Sequence, residues 1–287
     1  MNYDSPAQIE RVLLGLEIKL KHRWGQNFLI NRGAREKLIA LIDPREGDRV
    51  WEIGPGLGCL TASLLPRVRN LTAFEIDRGL IRFLEQSFGG FPGFALVAGD
   101  VLKTWSRIRR EGGEPDKVTG NLPYSSASAL IGAFAEQGFT APRMIFTVQK
   151  ELARRMAARP GAKNYSSFSV LSQFAFRLRE HFELKPGSFY PAPEVLSTVI
   201  ELTPQAHEEE PSERDFFLLL VRALFSSRRK TLKNNLFAAP FPAGYDRDLL
   251  LQALALEGLD PGLRGEELPP QSFIRLCNRL LALRQGR

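Results

Sequence analysis

The chain has 287 residues, of which 44% are hydrophobic and 25% are charged, a composition typical of a folded globular protein. No apolar run approaches the roughly 20 residues that cross a bilayer, and the first residues lack the basic and apolar regions of a signal peptide. Two cysteines and three scattered histidines exclude a disulfide framework and predict no metal site. We therefore expect a cytoplasmic protein with one large domain or two unequal ones.

The net charge of +7 favours a polyanionic partner, most often a nucleic acid. Five cations and no acid lie between Arg222 and Lys233, and five cations with one acid lie between Lys150 and Lys163. Either cluster alone is equally compatible with a solvated helix face. Together they favour a phosphate-binding surface.

The first part of the chain alternates short apolar runs with amphipathic stretches, which is typical of a parallel sheet with connecting helices. Strands are predicted at residues 49–53, 71–76, 94–98, 117–120 and 143–148. Two later runs, 174–184 and 197–202, predict hairpin strands added at one edge of this sheet. The sequence therefore predicts an α/β fold.

A polar, acidic stretch bracketed by Pro204 and Pro211 marks a domain boundary. Beyond it the strand pattern ends, and apolar residues recur at helical spacing. Ser212, with Asp215 three residues later, is typical of a capping box that opens a helix. We predict an N-terminal arm over residues 1–18, an α/β domain over 19–206 and a helical domain over 207–287 that carries the basic cluster of residues 222–233.

A glycine-rich segment from Glu52 to Gly58, with the sequence EIGPGLG, follows the first predicted strand. Glycines allow a backbone to turn sharply and to approach a ligand closely at the carboxyl edge of a parallel sheet. Glu75 ends the next strand, 21 residues after Gly54, an offset at which an acidic side chain reaches ribose hydroxyls. The combination predicts a cofactor that contains a nucleoside.

Two such cofactors are compatible with this segment. NAD would favour a small residue at position 59, where Cys59 stands, and its pyrophosphate disfavours acidic surroundings. Glu52, Asp77 and Asp100 instead add carboxylates around the predicted pocket, which suits the positive sulfonium of S-adenosylmethionine (SAM). Asp100, after the third strand, is placed to accept a hydrogen bond from the adenine amino group. SAM is therefore the favoured cofactor.

The fourth strand runs into Gly120-Asn121-Leu122-Pro123-Tyr124, a motif typical of enzymes that methylate exocyclic amino groups. The lone pair of adenine N6 is delocalised into the ring, so this nitrogen is a poor nucleophile. Asn121 Oδ1 and the Pro123 carbonyl are predicted to accept its two hydrogens and favour a tetrahedral nitrogen. Tyr124 would stack on the flipped base. The alternative is a proline turn with a core tyrosine.

With these motifs in order, the chain resembles the bacterial KsgA/RsmA family of small-subunit ribosomal RNA adenine N6-dimethyltransferases over nearly its whole length. The matching segments are GQNFL at 25–29, EIGPGLG at 52–58, FEID at 74–77, GNLPY at 120–124, VQKE at 148–151, FYPAPEV at 189–195, RRKTL at 228–232 and RGEEL at 264–268. The chain departs from the family pattern at residues 125–127, at Glu194, where a cation is usual, and at Leu196, where an acid is usual. Residues 1–18 match none of the motifs.

The resemblance implies a Rossmann-like SAM-dependent methyltransferase domain followed by a smaller all-helical domain. It implies cofactor contacts by Asn27, Leu29, Gly54, Glu75, Asp100 and Asn121. It also implies that the target adenine lies between Tyr124 and Phe189, near Asn121, Leu122 and Pro123. The cations Arg228, Arg229 and Lys230 are expected to contact RNA.

The implied activity is N6 dimethylation of two adjacent adenines in a hairpin near the 3′ end of small-subunit (16S) rRNA. The substrate would be the small ribosomal subunit or its precursor, and the enzyme a monomer. The step is an in-line displacement at a sulfonium methyl that requires neither a metal nor a strong base. Two alternatives stay open: a large-subunit rRNA adenine N6-methyltransferase of the antibiotic-resistance type, and a non-catalytic rRNA-binding assembly factor.

Overall fold

The computed structural model describes residues 1–18, 26–123 and 126–286, and the chain divides into two compact units. One unit comprises Met1–Ala153 and Arg177–Pro204, and the other comprises Arg154–Phe176 and Gln205–Arg287. Among the described residues, no helix is long and apolar enough to cross a membrane.

The first unit is built on a sheet of seven strands. Its elements up to residue 153 are α1 (Pro6–Gly15), β1 (Phe28–Leu29), α2 (Arg32–Ile42), β2 (Arg49–Ile53), α3 (Thr61–Leu64), β3 (Asn70–Glu75), α4 (Arg78–Phe88), β4 (Phe94–Ala98), α5 (Val101–Gly112), β5 (Lys117–Asn121), α6 (Ala127–Glu136), β6 (Arg143–Gln149) and α7 (Lys150–Met156), whose end belongs to the other unit. After α8 (Ser167–Ala175), the chain returns with β7 (Phe176–Leu184), β8 (Phe189–Tyr190) and β9 (Ser197–Pro204).

The strand order is β4-β3-β2-β5-β6-β9-β7, and the first five strands of this order run parallel. Strand β9 pairs antiparallel with β6 and has β7 as its other neighbour, so the two late strands extend one edge as predicted. Parallel pairing brings the carboxyl ends of β2, β3, β4 and β5 to one edge of the sheet. The predicted α/β class is confirmed.

Aromatic side chains hold helices α5 and α6 against the sheet. Trp51 of β2 meets the Phe74 ring edge-on at 5.2 Å and stacks on Phe139 at 5.6 Å. Phe139 also stacks on Phe134 of α6 at 4.3 Å, and Trp105 of α5 meets Phe134 edge-on at 4.9 Å. Such pairs add about 0.5–1.5 kcal/mol each beyond the burial of their area. They fix the helices that follow the strand ends.

The second unit contains α8 and four later helices, which are α9 (Arg214–Leu224), α10 (Leu232–Phe237), α11 (Arg247–Leu256) and α12 (Pro270–Gln285). Residues 154–176 belong to it, although the predicted domain 19–206 includes them. The buried hydroxyl of Tyr165 donates to the Leu268 carbonyl at 2.8 Å, and the Phe174 and Phe217 rings lie 4.6 Å apart. These contacts are remote in sequence, so local pattern does not reveal them.

Two local predictions near the unit boundaries are wrong. Phe174 lies in α8, because β7 begins only at Phe176. The predicted capping box at Ser212 is absent, since α9 begins at Arg214 with Glu213 at its N-cap. The Ser212 backbone N–H instead donates to Asn278 Oδ1 at 2.8 Å. A side chain of the last helix therefore fixes this turn.

Candidate active site

A cavity of about 280 Å³ lies at the carboxyl ends of β2, β3, β4 and β5. The structure brings into its lining all six predicted cofactor-binding residues and three predicted catalytic residues, and Asn121 belongs to both sets. They are Asn27, Leu29, Gly54, Glu75, Asp100, Asn121, Leu122 and Pro123. Concave, mostly apolar cavities with a few converging polar groups are the usual form of small-molecule sites.

The glycine loop after β2 requires glycine at three positions. Gly54, Gly56 and Gly58 have φ values of +66°, +61° and +80°, the left-handed region that side chains disfavour. A Cβ on Gly56 would lie 3.1 Å from the Phe28 ring, and one on Gly58 would lie 2.4 Å from the Phe88 ring. The loop backbone therefore packs closely against its neighbours and remains accessible from the cavity.

Glu75 ends β3 and is held by backbone donors. Its Oε1 accepts hydrogen bonds from the N–H groups of Ile76 and Asp77 at 2.9 Å, and its Oε2 accepts from Gly56 N–H at 3.3 Å. Burial raises the pKa of Glu75 to about 7, although the three backbone hydrogen bonds oppose the shift. The carboxylate is thus oriented rigidly towards the glycine loop.

A second buried carboxyl group, Glu52, lies on β2 and also lines the cavity. Its Oε2 accepts from Thr61 Oγ1 at 2.7 Å. Burial raises the pKa of Glu52 to about 7, and the neighbouring Glu75 carboxylate adds to the shift while Thr61 opposes it. Two buried acids so placed favour a positively charged ligand.

The acids that follow β3 and β4 act as helix caps. Asp100 Oδ1 accepts from Leu102 N–H at 3.0 Å, and this residue lines the cavity at the start of α5. Asp77 Oδ1 accepts from Gly79 N–H at 2.8 Å at the start of α4. Asp77 is not in the described lining, but its Oδ2 accepts from Nε2 of the lining residue Gln26 at 3.5 Å. Its capping role turns the side chain into the first turn of α4.

Asn121 ends β5 and is fixed by a residue remote in sequence. Its Nδ2 donates to the Asn27 backbone carbonyl at 2.7 Å. Because the amide nitrogen is committed to this bond, Oδ1 is the acceptor that the side chain can offer to a ligand. The predicted acceptor role of Asn121 therefore has a defined orientation.

The Pro123 carbonyl, the second predicted acceptor, is already occupied. It accepts from the backbone N–H groups of Ser126 and Ala127 at 3.0 and 2.9 Å, as α6 begins. A carbonyl oxygen has two lone pairs, so both are used. The Leu122 carbonyl, one residue earlier, accepts no hydrogen bond within the described residues, while Leu122 N–H donates to Thr147 at 3.0 Å. Among the described residues, the Leu122 carbonyl is therefore the backbone acceptor left available at this strand end.

The two aromatic residues predicted to flank the target base are not both described. Tyr124 lies outside the described residues. Phe189 is only 3% exposed and pairs with Leu29 across β1 and β8, within the hydrophobic core. The structure does not bring Phe189 into the described lining of the cavity.

The lining also contains residues that the sequence did not assign to the site, among them Tyr3, Ile9, Gln26 and Ile76; Gln26 and Ile76 lie within the matching segments GQNFL and FEID. Ile76 is 40% exposed and lies between Glu75 and Asp77, so its position directly after a predicted strand-end acid was the signal in the sequence. Tyr3 and Ile9 belong to the arm, which carries no motif and gave no signal.

The basic turn, which we define as residues 226–230, connects α9 and α10 in the second unit. Arg228 forms an ion pair with Glu266, and its Nη2 donates to the Ala162 carbonyl at 3.4 Å. Arg229 and Lys230 are exposed and have no acidic partner within the described part of the chain. Of the three predicted RNA-binding cations, two are therefore available to phosphates.

A buried asparagine holds the backbone of this turn. Asn235 is 1% exposed, and its Nδ2 donates to the carbonyls of Leu224, Ser227 and Lys230 at 3.0, 3.1 and 3.4 Å. Since Arg228 also contacts Ala162, the exposed cations Arg159 and Lys163 lie in the turn next to the basic turn. Members of both clusters seen in the sequence thus lie close together within one unit.

Comparisons with known proteins identify the family of this chain. The ribosomal RNA adenine dimethylase family matches residues 17–249. The chain is 42% identical over 279 residues to Ribosomal RNA small subunit methyltransferase A of Treponema denticola, covering 96% of this chain and 95% of the relative. It is 38% identical over 275 residues to the protein of the same name from Geobacter metallireducens, covering 94% and 98%.

Two solved structures are similar as well. A dimethyladenosine transferase from Plasmodium falciparum has a TM-score of 0.69 at 25% identity, covering 86% of this chain and 94% of its own. The 23S rRNA methyltransferase ErmE has a TM-score of 0.62 at 25% identity, covering 88% and 99%. The glycine loop, the strand-end acids and these matches agree: the chain belongs to the ribosomal RNA adenine dimethylase family of SAM-dependent methyltransferases.

Proposed function

We propose that this enzyme transfers methyl groups from SAM to N6 of two adjacent adenines in a hairpin near the 3′ end of small-subunit rRNA, two groups per base. The observation that carries the proposal is the Asn121 amide, fixed by the Asn27 carbonyl at 2.7 Å in the cavity that holds Glu75. We further propose that it acts as a monomer, in the cytoplasm, on the small ribosomal subunit or its precursor.

The cavity fits SAM by its charges and its loop. Glu52 and Glu75 supply buried carboxyl groups that suit a cation, and Gly54 and Gly56 of the glycine loop line the same cavity. Glu75 would bind the ribose hydroxyls, and Asp100 the adenine amino group. The other four predicted cofactor-binding residues, which would contact the rest of SAM, are Asn27, Leu29, Gly54 and Asn121. SAM supplies a methyl group made electrophilic by its sulfonium.

The residues of β5 would bind the target amino group. Asn121 Oδ1 and the Leu122 carbonyl would each accept one N6 hydrogen, which favours the tetrahedral nitrogen that forms during attack. These acceptors are preorganised, because Asn27 holds the amide and Thr147 holds the Leu122 backbone. The product ammonium is acidic enough to lose its proton to water.

The base itself must leave the RNA stack to reach this edge of the sheet. We propose Tyr124 as the residue that stacks on it. The burial of Phe189 supports a different role for that ring, in which it packs behind Leu29 and supports the wall of the cavity.

The RNA would be bound through its phosphates by the second unit. Arg229 and Lys230 offer exposed charge on a turn whose backbone is fixed by Asn235, and Arg159 and Lys163 extend the same surface. Phosphate contacts of this kind position a nucleic acid without reading its sequence.

The test compares substrates. Labelled methyl groups from SAM should be transferred to small ribosomal subunits that lack the modification, and not to large subunits. Transfer to large subunits alone would favour the antibiotic-resistance type of enzyme. Large subunits are included because one similar structure is the 23S rRNA methyltransferase ErmE. Binding to small subunits without any transfer would favour the assembly-factor alternative.

A further inference from the structure

The first 18 residues carry none of the sequence motifs, yet they fold as part of the first unit. Helix α1 follows Ser5, whose Oγ accepts from Gln8 N–H at 3.3 Å. Ile9 and Leu13 on this helix are 1% and 4% exposed. A helix of 10 residues is marginal in water by itself, so its packing must hold it in place.

Helix α1 packs behind the cofactor cavity. Ile9 and Leu13 form a hydrophobic cluster with Phe28, Leu57 and Leu80. Leu57 is part of the glycine loop, and Phe28 follows Asn27, whose carbonyl holds Asn121. The arm therefore supports two segments that define the cavity, and Ile9 itself reaches its lining.

Tyr3 also lines the cavity and is anchored by its neighbour. Asp4 forms an ion pair with Arg35 of α2 at 2.7 Å, and the Arg35 guanidinium lies 5.9 Å from the centre of the Tyr3 ring. Burial raises the pKa of Tyr3 to about 12, and the nearby Cys59 and Glu52 add to the shift. The Tyr3 hydroxyl therefore stays protonated and can donate a hydrogen bond, and Tyr3 lines the same cavity as Glu52 and Cys59.

The strand order identifies the part of the cofactor that this side would meet. The adenine is assigned to Asp100 after β4, and the ribose to Glu75 at the end of β3. Strand β2, which carries Glu52, is next in the sheet. Moving across the edge from β4 to β2 leads from the adenine towards the amino-acid end of SAM.

We propose that residues 1–18 form a wall of the cofactor cavity beside the amino-acid end of SAM, where Tyr3 donates a hydrogen bond to the cofactor's carboxylate and Ile9 closes the apolar side. This inference rests on the cofactor placement in the proposed function. It assigns to the arm a binding role that its lack of motifs does not suggest.

The test uses two ligands that differ only at the amino-acid end. S-adenosylhomocysteine carries that end, and adenosine lacks it. Tyr3→Phe removes one hydroxyl and should weaken S-adenosylhomocysteine binding about tenfold, as expected for a lost hydrogen bond to a charged group, while adenosine binding is unchanged. Isothermal calorimetry on the full chain measures both, and Tyr245→Phe in the second unit is the matched control.

A second pair of variants tests the apolar wall. Ile9→Ala should weaken S-adenosylhomocysteine binding more than adenosine binding, whereas Leu14→Ala, on the 72% exposed position of the same helix, should change neither. Thermal melting checks that each variant is folded at the temperature of the titration. If Ile9→Ala is unfolded, the Tyr3→Phe titrations alone decide the proposal.

The proposal is overturned if Tyr3→Phe binds S-adenosylhomocysteine as wild type does, or if it loses both ligands equally. A wild-type protein that binds neither ligand would overturn it together with the cofactor placement. A wild-type protein that binds both ligands but methylates no small subunit would contradict the proposed function alone, because these titrations contain no RNA.

Discussion

The cofactor cavity and the basic turn use hydrogen bonds to the backbone in opposite ways. In the cavity, the functional groups themselves are held: three backbone N–H groups orient Glu75, and the Asn27 carbonyl orients Asn121. In the basic turn, Asn235 holds the backbone, while Arg229 and Lys230 are exposed. Chemistry at N6 needs fixed directions, whereas phosphate binding needs charge at roughly the right place.

This contrast predicts large, specific losses from single changes in the cavity and small, additive losses in the turn. Asn121→Ala should lower single-turnover methylation of unmodified small subunits by about 10²–10³, which corresponds to roughly 2.7–4 kcal/mol. Particle binding should barely change, because it depends on many phosphate contacts. The rate is measured at saturating SAM, since Asn121 also lines the cofactor cavity. If Asn121→Ala methylates at the wild-type rate, Asn121 is not the acceptor for the N6 hydrogen.

The buried acids give the cavity a pH dependence that the exposed turn should lack. The pKa of Glu52 is raised by burial from 4.5 to about 7, so the folded state binds more protons than the unfolded state between these values. The free energy of unfolding should therefore fall as pH rises from about 5 to about 8, by up to about 3 kcal/mol from this group.

Glu52→Gln retains an acceptor for Thr61 and resembles the protonated acid. We expect the variant to be more stable than wild type at pH 8 and similar to it at pH 5, in urea unfolding of the cofactor-free protein. A stability difference that is the same at both pH values would show that Glu52 does not titrate in this range.

Glu75 tests the held carboxylate directly. Because it should bind the ribose hydroxyls by charge-assisted hydrogen bonds, Glu75→Ala should weaken SAM binding by roughly 1.5–3 kcal/mol. Calorimetry measures this, with Glu85→Ala on the exposed side of α4 as the control. Unchanged SAM affinity in a folded Glu75→Ala protein would exclude this placement of the ribose.

The smallest effects are expected in the basic turn. Arg229→Gln with Lys230→Gln should flatten the salt dependence of RNA binding by about 0.7–0.9 in log–log slope per lost phosphate contact, with SAM affinity unchanged. Arg228→Gln should add less, because this cation is paired with Glu266. Lys103→Gln with Arg110→Gln on α5 removes the same charge elsewhere and is the control. An unaltered slope would make the turn an ordinary solvated surface.

The sequence predicted those parts of the site that depend on local geometry. The glycine spacing, Glu75 at a strand end and Asn121 after the fourth strand all follow from the period of strands and the turn that must come next. Parallel strands then bring these ends together at one edge without any further information.

The parts that the sequence did not predict depend on contacts remote in the chain. The Pro123 carbonyl is used by the start of α6, and Phe189 is buried against Leu29. Residues 154–176 join the helical unit through contacts such as Tyr165 to Leu268. The arm reaches the cavity through packing that has no periodic or motif signature. In each case the deciding partner lies outside the local window that a sequence pattern can cover.

The central claim is that this cavity dimethylates N6 of two adjacent adenines in small-subunit rRNA. The most direct measurement incubates wild-type enzyme and labelled SAM with small subunits that lack the modification, digests the RNA to nucleosides and maps the modified positions. We predict that the label appears as N6,N6-dimethyladenosine at two adjacent positions of one hairpin near the 3′ end. Label in any other nucleoside, at a single adenine, or nowhere would contradict the claim.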